Sequence, residues 1–153
     1  MVLIRHGDLV DSSDLSKLIG GVMRLSQYSA IHLHYTVAQW QRRILPSINL
    51  NQYRYYEDED GRPIAFCNWA LVSSEVRNAL LAGERDLVVS DWASGDTIFI
   101  TELIAPFGNV RAVLHDLRRH VFSDRQGQVG YAVQGVTHAG QGYFTQKVRW
   151  FTV

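Results

Sequence analysis

A single cysteine, Cys67, stands among 153 residues. It has no partner for an internal disulfide and excludes a zinc site built on several thiolates. Such poverty in cysteine fits a reducing cytoplasm. Proline is nearly as scarce, with three residues, and no Pro- or Gly/Ser-rich stretch reads as a linker. Neither charge is in excess: Lys+Arg and Asp+Glu stand at 15 each. That argues against a general nucleic-acid binder, which carries a basic excess. Apolar runs are short, and none reaches the roughly 20 residues of a membrane-spanning helix. The first residues, MVLIRHGDLVDSSDLS, lack the apolar core and small-residue end of a signal peptide.

What is present is the material of an ordinary globular domain. Apolar residues make up 46% of the chain and charged ones 20%, enough for one domain over residues 1–153 with a real core. Apolar residues at helical spacing predict a helix over 14–28, with Ser13 or Asp14 as its cap. The Gly20-Gly21 pair weakens that helix or lets something pack close to it. A second helix is expected from Thr36 to Leu45, with Val37, Trp40 and Ile44 on one face and Pro46 ending it.

The period then changes to that of strands. QYRYYEDEDGRPIAFCNWALV reads as a hairpin whose second strand, Ile64 to Leu71, is apolar on both faces and therefore central. A short helix follows in SSEVRNALLAG, then a strand in DTIFITELIAPFG and a helix in NVRAVLHDLRRHVF. The last helix carries an apolar stripe of Val110, Val113, Leu114, Leu117 and Val121. QVGYAVQGV and KVRWFTV close the chain as two strands, a hairpin across a Gly-rich loop. The order ααββαβαββ predicts an α/β (α+β) fold, a mixed sheet with helices on its faces.

Two groups of residues invite chemistry. In the strand from Thr97, simple alternation puts Ile98, Ile100, Glu102 and Ile104 on one face. A carboxylate among isoleucines is costly without a partner. Glu102 is therefore paired with an arginine, sits at the strand's frayed end, or holds and polarises a histidine. Of six histidines, none forms an HExxH motif, and no metal site is expected. The stretch SAIHLHY places Ser29 three residues before His32, with His34 two residues after it. RHG at residues 5–7 and VTHAG at 136–140 resemble fragments of histidine phosphatases. That gives one alternative, a phosphatase acting through Arg5 and His6. A second is a protein that binds a toxin or carrier without turnover.

A larger set of motifs runs in order from Gly20 to the C-terminus: SAIH, LPSINLNQYRYY, RPIAFCNWALVSSEV and DWASGDTIFITELIAPFG. Together they resemble the RTX toxin-activating lysine acyltransferases, the hemolysin-activating "C" proteins. Residues 1–19 lie outside the resemblance. It implies a GNAT-like fold and a cytoplasmic enzyme that takes a fatty acyl chain from acyl carrier protein. The acceptor would be the ε-amine of internal lysines in an RTX-type protoxin, and homodimers occur in the family. No bound cofactor is implied, since the acyl-acyl carrier protein is a co-substrate. The family's catalytic pair falls on His32 and Glu102, where the family usually has Asp; Leu103 stands where it has Trp. Ser29 and Phe66 are expected near the site, Phe66 replacing a Tyr of many members. No Gly-rich pyrophosphate loop of the CoA-dependent GNAT type is found. At α-helical spacing, Arg111, His115, Arg118 and Arg119 share one face, a docking surface for an acidic carrier protein.

Overall fold

An apolar strand that must be covered on both sides organises the chain. In a computed structural model, which describes residues 3–5, 12–137 and 144–153, this strand is β3, Pro63–Val72. It lies inside a six-stranded sheet ordered as in the sequence: β1 (Leu3–Arg5), β2 (Tyr53–Glu57), β3, β4 (Thr97–Ile104), β5 (Val129–Thr137) and β6 (Phe144–Thr152). All neighbours are antiparallel except β4 and β5, which run parallel. This is the mixed α/β sheet with flanking helices expected above. The strand β1 was not foreseen, because three residues carry too little pattern to read. Within the RHG fragment only Arg5 falls among the described residues, and VTHAG is described only through Thr137.

The helices divide between the two faces. On one face α1 (Ser12–Ser26), α2 (Val37–Arg43) and α3 (Leu45–Asn49) bury Val22, Leu25, Trp40, Ile44 and Ile48 against Tyr53, Tyr55, Phe66 and Ile104. The short α4 (Ser74–Leu81) packs farther along, where Leu80 meets Trp92 and Phe99. On the other face α5 (Val110–Asp116) and the turn after it bury Val113 and Leu117 against Ala65, Cys67, Trp69, Ile98 and Ile100. Here Asp116 is a buried carboxylate held by Tyr56 Oη at 2.8 Å, His120 Nδ1 at 2.8 Å and Arg54 Nε at 3.2 Å. Burial, and then the bond to Asp116, push the Tyr56 hydroxyl well above its ordinary pKa.

Several local expectations change. α1 begins at Ser12, so Ser13 and Asp14 lie inside its first turn rather than capping it. Pro46 does not end the second helix. α2 stops at Arg43, and Pro46 sits in the first turn of α3, where a missing N–H costs nothing. Val37 is 74% exposed and Val110 is exposed too, so each stripe is narrower than its spacing suggested. Leu117–Val121 is a π-turn, with Phe122 N–H donating to Leu117 C=O at 2.8 Å. The wider turn breaks the α-helical spacing that placed Arg118 and Arg119 in line with Arg111 and His115. Arg118 is half-buried and donates to Thr152 C=O at 3.0 Å.

The two adjacent glycines of α1 have different jobs. A Cβ on Gly20 would meet nothing within 4 Å, whereas one on Gly21 would fall 2.0 Å from the Tyr55 hydroxyl. Gly21 thus lets the helix close on the buried Tyr55. Gly20→Ala is expected to raise stability by about 1 kcal/mol through helix propensity, and Gly21→Ala to lower it by about 1–3 kcal/mol through overpacking. Urea denaturation of the two variants reads both signs. Cys67 is fully buried, and burial, with the charges of Glu102 and Asp116 adding, pushes its thiol well above the usual range. It is expected to resist iodoacetamide in the folded protein and to react once the chain is unfolded.

Candidate active site

Four separated stretches of chain meet beside α2. The first is the turn after α1. Its backbone is fixed on both sides of Ser29, whose N–H donates to Ser26 C=O and whose C=O accepts from Leu33 N–H. His32 opens the 3-10 turn His32–His34. The Ser29-to-His32 spacing of three residues brings the two side chains together, with Ser29 Oγ 2.6 Å from His32 Nδ1. The second stretch is α2. A capping box fixes its start: Thr36 and Gln39 exchange side-chain-to-backbone bonds at 3.2 and 2.8 Å. Its end is tied to the sheet by Asn68, whose amide donates to Arg43 C=O and Ser47 Oγ, both at 2.9 Å.

The third stretch is β4, where an irregularity decides the outcome. Asn68 pairs with Glu102 but Trp69 pairs with Ile100, so Thr101 is an extra residue, a β-bulge. Simple alternation had put Glu102 with Ile98 and Ile100. The structure overturns this: Ile98 and Ile100 pack toward α5, whereas Ile104 packs toward α1 and Glu102 reaches His32. The bulge aims the carboxylate at the face that carries the histidine.

Glu102 is 5% exposed and His32 6%. One carboxylate oxygen, Oε2, takes His32 Nε2 at 2.6 Å; the other, Oε1, takes Tyr35 Oη at 2.7 Å and Arg43 Nε at 2.5 Å. Glu102 thus pairs with a histidine on one oxygen and with an arginine on the other, and its place inside the paired part of β4 excludes a frayed strand end. Arg43 also donates to Thr101 C=O, the carbonyl of the bulge, at 3.2 Å. Its outer nitrogen meets Asp86, on the fourth stretch, at 2.6 Å. Burial alone would raise the Glu102 pKa; the Arg43 charge and the bonds from His32 and Tyr35 outweigh it and hold the carboxyl below its ordinary value. Burial and the Glu102 charge push the Tyr35 hydroxyl up, so it stays a donor.

Of the residues singled out in the sequence, His32, Glu102 and Ser29 come together in one hydrogen-bonded chain. Phe66 stays in the core beneath, stacked on Tyr53 with ring centroids 6.1 Å apart, and contributes no polar contact. Arg111, His115, Arg118 and Arg119 belong to α5 and the π-turn, so the sheet stands between them and His32. His34 is exposed. Tyr35 and Arg43 were missed. Tyr35 had a signal, being three residues beyond His32 as Ser29 is three before it. Arg43 had none beyond the general need of a buried carboxylate for a cation. Among the described residues no cluster of three or more His, Cys, Asp or Glu can hold a metal ion, and no helix is long and apolar enough to cross a membrane.

A buried histidine hydrogen-bonded on one nitrogen to a fixed carboxylate and on the other to a hydroxyl is built for proton transfer. Residues 11–152 match the RTX toxin acyltransferase family. The chain is 52% identical over 141 residues to the lysine-acyltransferase RtxC of Vibrio cholerae, covering 92% of each protein. It is 33% identical over 125 residues to the protein-lysine myristoyltransferase HlyC of Escherichia coli, covering 82% of this chain and 72% of that one. It is 31% identical over 102 residues to the RTX-II toxin-activating lysine-acyltransferase ApxIIC of Actinobacillus pleuropneumoniae, covering 67% and 63%. The chain belongs to the RTX toxin acyltransferase family. The match begins nine residues before Gly20, includes the whole hydrogen-bonded site and leaves the RHG fragment outside.

The depressed Glu102 pKa sets a direction for stability against pH. The folded carboxyl holds a proton less tightly than the unfolded one, whose pKa is about 4.3. Its stabilising contribution is therefore present above that value and is lost as pH falls toward the folded pKa. Glu102→Gln is expected to flatten this acid limb of a Tm-against-pH curve. At neutral pH it should lower stability by about 3–5 kcal/mol, because Arg43 is left without its buried counter-charge.

Proposed function

We propose that this protein transfers a fatty acyl chain from acyl carrier protein to the ε-amine of internal lysines in an RTX-type protoxin and so activates the toxin. The reading includes a cytoplasmic setting and a homodimeric enzyme. The observation that carries it is the buried pair His32 Nε2 to Glu102 Oε2 at 2.6 Å, in a chain of this family. A thioester carbonyl is already activated, and the difficulty lies with the amine. Free lysine, with a pKa near 10.4, is mostly protonated at neutral pH. His32 accepts the proton that the amine gives up as it attacks, and the fixed Glu102 anion stabilises the imidazolium. Tyr35 and Arg43 keep Glu102 ionised and immobile, so its charge costs no reorganisation during the step. Glu at position 102 is a methylene longer than the Asp usual in the family, and it still reaches His32 directly.

Intact-mass analysis of an RTX protoxin co-expressed with this protein tests the reading. Mass increments of whole acyl chains on lysines are expected, and the increment gives the chain length. His32→Ala should lower the rate by about 100-fold or more, while exposed His34→Ala should match the wild type. Acylation that persists unchanged in His32→Ala would refute the assignment. The sheet between the α5 stripe and His32 gives a further expectation. Arg111→Glu with Arg119→Glu should leave KM for the acylated carrier unchanged; a rise that deepens at low salt would assign carrier docking to that stripe.

A further inference from the structure

We propose that Ser29 is a proton relay, the group through which His32 takes the proton of the attacking amine. The proposal rests on the acyl-transfer reading above and adds a residue to its chemistry. Both imidazole nitrogens of His32 are engaged, Nε2 with Glu102 Oε2 and Nδ1 with Ser29 Oγ, each at 2.6 Å. An ionised Glu102 only accepts, so the neutral ring carries its hydrogen on Nε2 and its lone pair on Nδ1. That lone pair meets the serine hydroxyl. His32 and Glu102 are buried, whereas Ser29 is half-buried. Ser29 is therefore the accessible end of the chain, and an amine arriving from outside reaches its oxygen before the ring nitrogen.

A capping bond to the turn's backbone does not by itself account for the short contact to the ring. Ser29 Oγ does accept a long hydrogen bond from the His32 backbone N–H, N···O 3.4 Å, but Ile31, not Ser29, is the N-cap of the 3-10 turn, and the 2.6 Å contact to the ring nitrogen is much the shorter of the two. The backbone bonds on both sides of Ser29 hold its Cα in place, which fixes the hydroxyl against the imidazole.

In the step, the neutral amine nitrogen bonds to the thioester carbonyl carbon. Its surplus proton passes to Ser29 Oγ while the serine proton passes to His32 Nδ1, leaving Ser29 unchanged and His32 cationic against Glu102. Collapse of the tetrahedral intermediate breaks the C–S bond. The sulfur leaves with the electron pair and recovers the proton from His32 by the same route. Amine and thioester become amide and thiol, with no other reactant.

The test uses the full-length enzyme with myristoyl-acyl carrier protein as donor and an RTX protoxin as acceptor, circular dichroism confirming the fold of each variant. Ser29→Ala should lower kcat by about 100-fold, the lower end of general acid–base effects, with both KM values within about two-fold of the wild type. Ser29→Thr, which keeps the hydroxyl, should restore most of the rate. A relay moves two protons together, so the wild-type rate in H2O/D2O mixtures should fall along a curve, and the Ser29→Ala rate along a straight line. Wild-type kcat in Ser29→Ala, with His32→Ala inactive, would overturn the relay and leave the acyl-transfer reading standing. A covalent acyl group on Ser29, found by mass after incubation with donor alone, would also overturn the relay. Full activity in His32→Ala would instead overturn the reading on which it rests.

Discussion

The buried negative charge of Glu102 is the constraint around which this face of the protein is arranged. Removing a carboxylate from water costs several kcal/mol, and a single partner rarely repays it. Glu102 receives three donors, from His32, Tyr35 and Arg43. Those donors bring with them the turn after α1, the whole of α2 and, through Asp86, the loop beyond α4. The local features described above serve this gathering. The capping box starts α2 at the right residue, Asn68 anchors its end, and the bulge at Thr101 turns the carboxylate toward it.

A second carboxylate shows what is particular to the first. Asp116, on the opposite face, also has a tyrosine, an arginine and a histidine. Its histidine, His120, is largely exposed, and the cluster pins α5 to β2. His32 differs in being buried with both ring nitrogens committed. The same donor types thus secure a helix in one place and hold a sequestered imidazole in the other. The difference lies in whether the histidine is withdrawn from water, since a low local dielectric strengthens every charge interaction around it.

Much of this arrangement was legible in the chain, though not always for the reason first given. The apolar β3 announced a central strand, and the motif register selected His32 over His34. Glu102 stands out in the sequence as a charge among isoleucines, yet the strict alternation that groups it with Ile98 and Ile100 does not hold in the folded strand. The bulge that breaks it depends on how β4 pairs with β3, which no single-strand pattern contains. Proline ends a helix from within, which makes Pro46 look like a stop, whereas here it opens one. Arg43 was invisible for the same reason as the bulge. Nothing near it in sequence marks it, and only the assembled sheet brings Glu102 within its reach.

His32 and Glu102 are 70 residues apart in the chain, with three helices and two strands between them. During synthesis the histidine leaves the ribosome long before its partner exists, and closing so long a loop costs entropy that only the paired sheet offsets. The nascent enzyme therefore carries an isolated imidazole, without the anion that would steady its charged form. The buried pair is complete only once β4 has docked, and a prematurely ended chain that stops short of β4 lacks the partner altogether. A formed His32–Glu102 pair is, in that sense, also a report that translation and folding have run past β4.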